Sequence, residues 1–258
     1  MEVQEKGYTG PLADIHSHFM PCMDEGPADM ETAIQMLRMA EKQGVTDLFV
    51  TSHGDFVCDR VRYYHKMYRR LLKEAEKNHI GIRIYEGCEI FGAWNAESDA
   101  AKVDRWIRAV RAGRYPSLNG TDYILLEFDI AVEPPEALFM VKRLQREGLK
   151  VVLAHAERYF SLIEEHFVET LVKEGCFVQM NAGSPVNRDR ELFCQNARYL
   201  LQHRLVHFLG SDAHGVIRRP PDMQGGVQYI LEHCDRAYAL DVLYRNAYCY
   251  LIQKRLPL

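Results

Sequence analysis

The sequence predicts an α/β fold, a distorted seven-stranded (β/α) barrel related to the TIM barrel, on three observations. Short apolar runs alternate with helix-length amphipathic segments along the chain. The runs are apolar at consecutive positions, as expected of parallel strands covered on both faces. The 258 residues match the size of one such barrel, about 250. No Pro-, Gly- or Ser-rich linker and no sustained charge block divides the chain, so it is read as a single domain, 1–258. A doubly wound open sheet would give the same alternation, and pattern alone leaves it open.

Leu12 to His16 is the first strand. Met30, Ala33, Ile34, Leu37 and Ala40 then recur at helical spacing, and Gly44 stops that helix. Asp47 to Ser52 is the second strand and Asp59 to His79 the next helix. Ile82 to Glu89 forms the third strand, followed by a helix over Ser98 to Ala112. Tyr123 to Phe128 is the fourth; its helix runs from Pro135, a favoured first-turn residue, to Glu147 before Gly148. Lys150 to His155 is the fifth strand, and Leu162 to Glu174 a helix closed by Gly175. Cys176 to Asn181 is the sixth, with a helix over Glu191 to His203. Val206 to Ser211 is the seventh, and Asp222 to Tyr248 makes terminal helices.

Composition narrows the function class. At 47% hydrophobic and 26% charged the chain is an ordinary globular one, and its net charge of −4 argues against general nucleic-acid binding. One basic run, Arg60 to Lys73, is interrupted by Tyr63, Tyr64, Met67, Tyr68 and Leu71 at helical spacing. That is the pattern of a solvated helix face; a docking face for an acidic partner is the alternative. The seven cysteines are odd in number, form no CxxC pair and follow no signal peptide, which argues against a disulfide framework. No apolar run reaches the ~20 residues of a membrane span. A cytoplasmic protein is expected, with oligomerisation left open.

The histidines and carboxylates fall at particular places. His16 and His18 end strand one, and His53 follows strand two. Glu89 ends strand three, Glu127 stands at the end of strand four, and His155 ends strand five. Asp212 and His214 follow strand seven. Singly, each has a plain structural reading: a hydrogen-bonded rim histidine, or a glutamate paired with an arginine. In a parallel barrel, however, all C-terminal strand ends meet at one rim, so residues spread from His16 to His214 converge. Several carboxylates gathered there without a cation would repel one another in poor solvent. Nitrogen and oxygen donors of this kind suit divalent ions, and a metal centre is expected. By contrast His79, His166, His203 and His233 fall on helices or their ends, His65 lies in the basic helix, and His207 lies inside strand seven.

At these residues the chain resembles the polymerase-and-histidinol-phosphatase (PHP) superfamily. More closely, it is similar to the PHP-type protein tyrosine phosphatases that act with bacterial capsule and exopolysaccharide kinases. The landmarks run in order from Asp14-Ile15-His16-Ser17-His18 and Met23-Asp24-Glu25-Gly26 through Thr51-Ser52-His53 and Glu86-Gly87-Cys88-Glu89. They continue with Ala154-His155-Ala156-Glu157-Arg158-Tyr159, Gln179-Met180-Asn181-Ala182, Ser211-Asp212-Ala213-His214 and Arg219-Pro220-Pro221. The resemblance implies two or three divalent ions, manganese first, with iron or zinc as alternatives. It implies that His16, His18, Glu89 and Asp212 serve one ion, with Glu89 bridging, and that Glu25, His53, His155 and His214 complete the others. It assigns Arg158 and Arg219 to the substrate phosphate, which a planar guanidinium fork suits, and leaves Glu127 as a supporting or proton-handling group. It also implies a phosphotyrosine protein substrate, a bacterial tyrosine kinase, and hydrolysis by a water that the metals activate.

The chain departs from that pattern in places. Glu25 stands where Asp is usual, Gly54 and Asp55 follow His53 where basic residues are common, and Cys22 replaces a common Gly and Ala156 a common Pro. Two further readings stay open: a PHP phosphoesterase on a small phosphate such as histidinol phosphate, and a weakly active regulatory homologue. The spacing Cys249-x5-Arg255 copies the thiol-dependent tyrosine phosphatases, but Tyr250, Leu251 and Ile252 between them are too bulky to wrap a phosphate. A lysine-bridged amidohydrolase is disfavoured, because Lys150 begins its strand rather than ending it.

Overall fold

The computed structural model describes residues 8–92, 100–187 and 190–253. Among them, β1 (Leu12–Ser17), β2 (Val45–Val50) and β3 (Arg83–Glu86) form one sheet. A second holds β4 (Glu89–Gly92), β5 (Tyr123–Phe128), β6 (Lys150–Leu153), β7 (Phe177–Asn181) and β8 (Phe208–Gly210), paired in that order. Every strand pair is parallel. Backbone hydrogen bonds join the two sheets at both edges. Glu89 N donates to Ser52 O (3.2 Å) at one, and Asp212 N to His16 O (2.8 Å) and His18 N to Ala213 O (2.9 Å) at the other.

The strand count is eight where the sequence predicts seven, because the third expected strand is broken at Gly87-Cys88. A tyrosine makes the break. The buried Tyr64 hydroxyl donates to Gly87 O (2.9 Å) and accepts from Gly87 N (3.2 Å), replacing ladder partners for both groups. Tyr64→Phe should therefore leave two buried backbone groups unpaired and cost about 1–3 kcal/mol. Thermal or urea unfolding measures this, and an unchanged midpoint would mean that the hydroxyl contributes nothing to the break.

The helices are α1 (Met30–Lys42), α2 (Gly54–Cys58), α3 (Val61–Lys77), α4 (Ala100–Arg111), α5 (Pro134–Arg146), α6 (Phe160–Glu164), α7 (Phe167–Lys173), α8 (Glu191–Gln202), α9 (Gln224–His233) and α10 (Arg236–Leu240). Asp29 caps α1 by accepting from Thr32 N at 2.8 Å. Two helices differ from expectation. α2 is only five residues long, too short to show a helical period in the sequence. The helix expected over Leu162 to Glu174 splits at His166, whose φ of +52° no continuous helix accommodates. The first residues of the helix expected over Ser98 to Ala112 lie outside the described residues. After α10 the chain continues in wide helical turns over Asp241–Arg245 and Tyr248–Ile252.

Alternation along the strands divides the core into two layers. Leu12, Leu48, Val50, Ile124, Leu126, Val151, Leu153, Val178 and Met180 pack outward against helix residues such as Leu37, Tyr64 and Val141. The alternate residues Ala13, Ile15, Phe49, Tyr123, Leu125, Val152, Ala154 and Phe208 pack with one another and with Ala247 and Leu251 of the terminal turns. That double burial is why the strands read as continuous apolar runs. In α3, Tyr64, Met67, Leu71 and Ala75 are buried while Arg62, Lys66, Arg69, Arg70 and Lys73 are exposed, so the basic run is one solvated face.

Among the described residues all seven cysteines are free. Cys249 lies beside Tyr123 and Lys150, at the N-terminal strand ends and away from the histidines, while Arg255 lies outside the described residues. Cys22 adopts φ +60°, the left-handed region where a glycine is least strained. No described helix is long and apolar enough to cross a membrane.

Candidate metal centre

The bulge-disrupted end of β1 delivers His16 and His18 to the C-terminal rim, both fully buried. His16 Nε2 lies 3.2 Å from Glu89 Oε2 and 3.7 Å from Asp212 Oδ1. His18 Nε2 stands at nearly the same distances, 3.3 and 3.6 Å, from the same two oxygens. Neither nitrogen has an aligned hydrogen-bond partner. Two buried imidazole nitrogens thus lie close to the same two carboxylate oxygens without hydrogen-bonding to either. That is the geometry a cation needs, and the donors fit one.

The rest of the expected set gathers around this pair. His53 Nδ1 is 3.2 Å from Glu89 Oε2, and His155 Nε2 is 3.0 Å from Glu89 Oε1, so Glu89 faces histidines with both oxygens. Glu25 Oε1 lies 3.2 Å from His53 Nε2 and 3.0 Å from His214 Nε2. Its side chain is 61% exposed, far more open than the other acids. The turn that carries it is tight. A Cβ on Gly26 would sit 2.3 Å from His18 O, so only glycine lets this loop lie against β1. Four overlapping trios of donors result, each with its ligand atoms within 4.8 Å of one another: His18-His53-His214, His16-Glu89-His155, His16-His18-Asp212 and His53-Glu89-Glu127. Glu127, expected as a supporting group, belongs to one of these trios and lies 3.2 Å from His155 Nε2.

Two residues that sequence reasoning left without a role orient the donors. Asp24 Oδ2 accepts from His18 Nδ1 (2.9 Å) and from His53 N (3.0 Å). Gln179 Oε1 accepts from His16 Nδ1 (3.0 Å) and from His155 N (2.7 Å). Each fixes a ring so that Nε2 faces the centre, the usual device for metal-binding histidines. Both lie inside motifs that the sequence displays, but nothing in a motif says which acid coordinates and which one orients.

Asp212 connects two halves of the site. Its Oδ1 faces His16 and His18, while its Oδ2 accepts from Asn181 Nδ2 (3.0 Å) and pairs with Arg158 and Arg219. Beyond it opens a cleft of about 520 Å³ whose lining includes Glu127, His155, Arg158, Asp212 and Arg219 together with Ile130 and Phe193. Arg219 Nη1 also reaches His214 Nε2 at 3.1 Å.

Electrostatics show what the gathering costs. Burial alone would raise the Glu89 and Asp212 carboxyls, but the surrounding imidazoles, with Arg158 beside Asp212, hold both far below the carboxylate range. Burial would lower His18 and His155, yet hydrogen bonds to their acidic neighbours lift them to about 10 and about 9. His214, buried and stacked 3.9 Å from the His18 ring, is pushed down to about 4. Protons are thus drawn onto His18 and His155 by ionised acids, a charge balance that divalent ions would serve instead.

Gly210 shows how closely the backbone is shaped. A Cβ there would meet His16 Cβ at 2.5 Å and His16 N at 3.1 Å. Gly210→Ala should displace His16, lowering both metal content and stability, the latter by about 1–3 kcal/mol. Full metal occupancy in that variant would show that β1 and β8 can separate without cost.

Comparison with known proteins places this architecture. The family model described as "Capsular polysaccharide synthesis, CpsB/CapC" matches residues 12–252. The chain belongs to the CpsB/CapC family. Within that family it is 28% identical to tyrosine-protein phosphatase CpsB of Streptococcus agalactiae serotype III (strain NEM316), over 92% of this chain and 96% of that one. It is 30% identical to tyrosine-protein phosphatase YwqE of Bacillus subtilis (strain 168), covering 86% and 84%. It also superposes, with a TM-score of 0.77, 28% identity and 96% coverage of both chains, on a structure from a study of YwqE from Bacillus subtilis and CpsB from Streptococcus pneumoniae, described as metal-dependent tyrosine phosphatases. For a CpsB/CapC member, the resemblance carried by the histidine motifs is therefore the correct one.

Proposed function

We propose that the chain is a metal-dependent phosphatase that hydrolyses phosphotyrosine on protein, its physiological substrate being a tyrosine kinase of polysaccharide synthesis in the cytoplasm. One observation carries the reading: two unpaired buried imidazole nitrogens converge with Glu89 and Asp212 beside a cleft that holds two arginines. His16, His18, Glu25, His53, Glu89, His155, Asp212 and His214 would hold two or three ions, manganese first, with Glu127 within reach of the same centre. The four overlapping donor trios support more than one ion. Around them, β3 and β4 count as a single broken stave of a seven-stave barrel.

Divalent ions bound there would supply an activated water and offset charge on phosphate oxygens. The protein does the rest. Arg158 and Arg219 orient the phosphate and neutralise its equatorial oxygens, and Asp212 holds both guanidiniums ready on the cleft wall. Tyrosine leaves as a phenolate whose conjugate acid has a pKa near 10, so strong acid assistance is unnecessary.

The test is a substrate panel with manganese: phosphotyrosine peptide against histidinol phosphate. A higher kcat/KM for the peptide is expected. Preference for histidinol phosphate would overturn the substrate, and full metal content with no turnover of either would indicate a regulatory homologue. Asp55 is an exposed carboxylate on α2, two residues after His53. Asp55→Asn should raise kcat/KM modestly, most at low salt, because solvent and ions screen a charge at such a position.

A further inference from the structure

The rim around the cleft carries an apolar surface that the chemistry does not require. Among the described residues, nine large hydrophobic side chains are exposed, and five of them, Phe56, Ile130, Val186, Leu192 and Ile217, lie in connections at the same end of the strands. Each stands in a connection leaving the C-terminal end of a strand: α2 after β2, the loop after β5, the stretch from β7 into α8, and the loop after β8. In a parallel arrangement those connections lie on the face that holds the histidines and arginines. Exposed hydrophobics scattered singly need no explanation; their concentration on the catalytic face does.

The surface is continuous with the cleft. Ile130, 49% exposed, lines it together with Phe193, the residue after Leu192. Phe193 is held in place, stacked on Phe160 at 5.6 Å with the Arg190 guanidinium 5.5 Å from its ring centre. Leu192 and Ile217, 51% and 87% exposed, stand outside the cleft lining. A small phosphate would fill the cleft without covering them. Leu192 adjoins Phe193, and Ile217 stands two residues before Arg219, so a polypeptide with its phosphate on Arg158 and Arg219 has both beside its path.

We propose that this rim docks a protein segment in which apolar residues flank the phosphotyrosine. Ile130 and Phe193 face the tyrosyl ring, and Leu192 and Ile217 receive the flanking side chains. This rests on the phosphotyrosine reading above and adds to it a substrate class, defined by the chemistry around the tyrosine. The arginines beside the apolar patch favour a partner that brings an anion and hydrophobic groups together, which a phosphorylated segment does.

The experiment uses the manganese-loaded protein, two phosphotyrosine peptides with leucine or with serine flanks, and para-nitrophenyl phosphate. The wild type should prefer the leucine-flanked peptide by about tenfold in kcat/KM, the discrimination expected from burying one or two aliphatic side chains. In the double variant Leu192→Ser, Ile217→Ser that preference should collapse towards unity, and the ratio of peptide to para-nitrophenyl phosphate turnover should fall about tenfold. Wild-type indifference to the flanks, or a preference that survives in the variant, overturns the proposal. So does an equal loss on all three substrates, which would be a general structural effect. If sedimentation instead shows a dimer that the double variant dissociates with the flank preference intact, the rim is an interface between copies and the proposal falls. Hydrolysis of both peptides without discrimination removes only the docking rim, whereas failure of the wild type on every phosphotyrosine substrate removes the function beneath it.

Discussion

Chelation should abolish phosphatase activity completely, and manganese should restore it, without unfolding the protein. The separation follows from the two packed layers, which owe nothing to the rim: the residues of both are apolar and buried independently of the histidines. On the proposed mechanism, activity needs ions held by Glu89 and Asp212, whose carboxyls the surrounding imidazoles keep ionised. Because the donors converge only in the folded state, removing ions should lower its stability, and with it the thermal midpoint, by a free energy set by their concentration over Kd that reaches about 2.7 kcal/mol at a hundredfold excess. His155→Ala and Asp212→Ala should each reduce metal content measured by elemental analysis. Circular dichroism after chelation checks the fold, and turnover checks the site. Undiminished turnover after thorough metal removal would sink the mechanism.

Arg158→Ala and Arg219→Ala should lose roughly 2–5 kcal/mol of transition-state stabilisation each while retaining metal. Both guanidiniums pair with Asp212 Oδ2, the oxygen turned away from His16 and His18, so removing either leaves the opposite oxygen free to coordinate. The arginines differ in setting. Arg158 is 24% exposed and Arg219 44%, so screening should make the Arg219 effect the smaller of the two. Since both would grip one phosphate, the double variant should lose less than the sum of the single losses. Full kcat/KM in either single variant, at unchanged metal content, would mean that the phosphate binds elsewhere. Loss of metal in both would instead make them structural partners of Asp212.

Much of this centre is legible in the sequence. The motif around His16 and His18, the isolated Glu89 and the pair Asp212 and His214 stand at strand ends because each ends an apolar run, and parallel strands bring such ends together. The eight expected donors do gather at one rim. Less legible was Glu127, whose position at the end of β5 is plain in the sequence but whose distance from His155 is not. At Cys22 the resemblance leads one to expect glycine, and the φ of +60° there is a conformation that glycine adopts with least strain.

The sequence by itself determined the alternation of strands and helices, the parallel sense of the strands and which histidines and acids stand at strand ends. Those follow from hydrophobic period and residue type, which are local. Tertiary structure alone decided the break between β3 and β4, because a hydroxyl arriving from α3 satisfies Gly87 from outside the strand. It also decided that Asp24 orients while Glu25 reaches the centre, although they are neighbours in one loop. Asp24 is buried against His18 and His53, whereas Glu25 points across an exposed gap to His53 and His214. Coordination depends on where an oxygen points relative to groups far away in the chain, and no local property of the sequence records that direction.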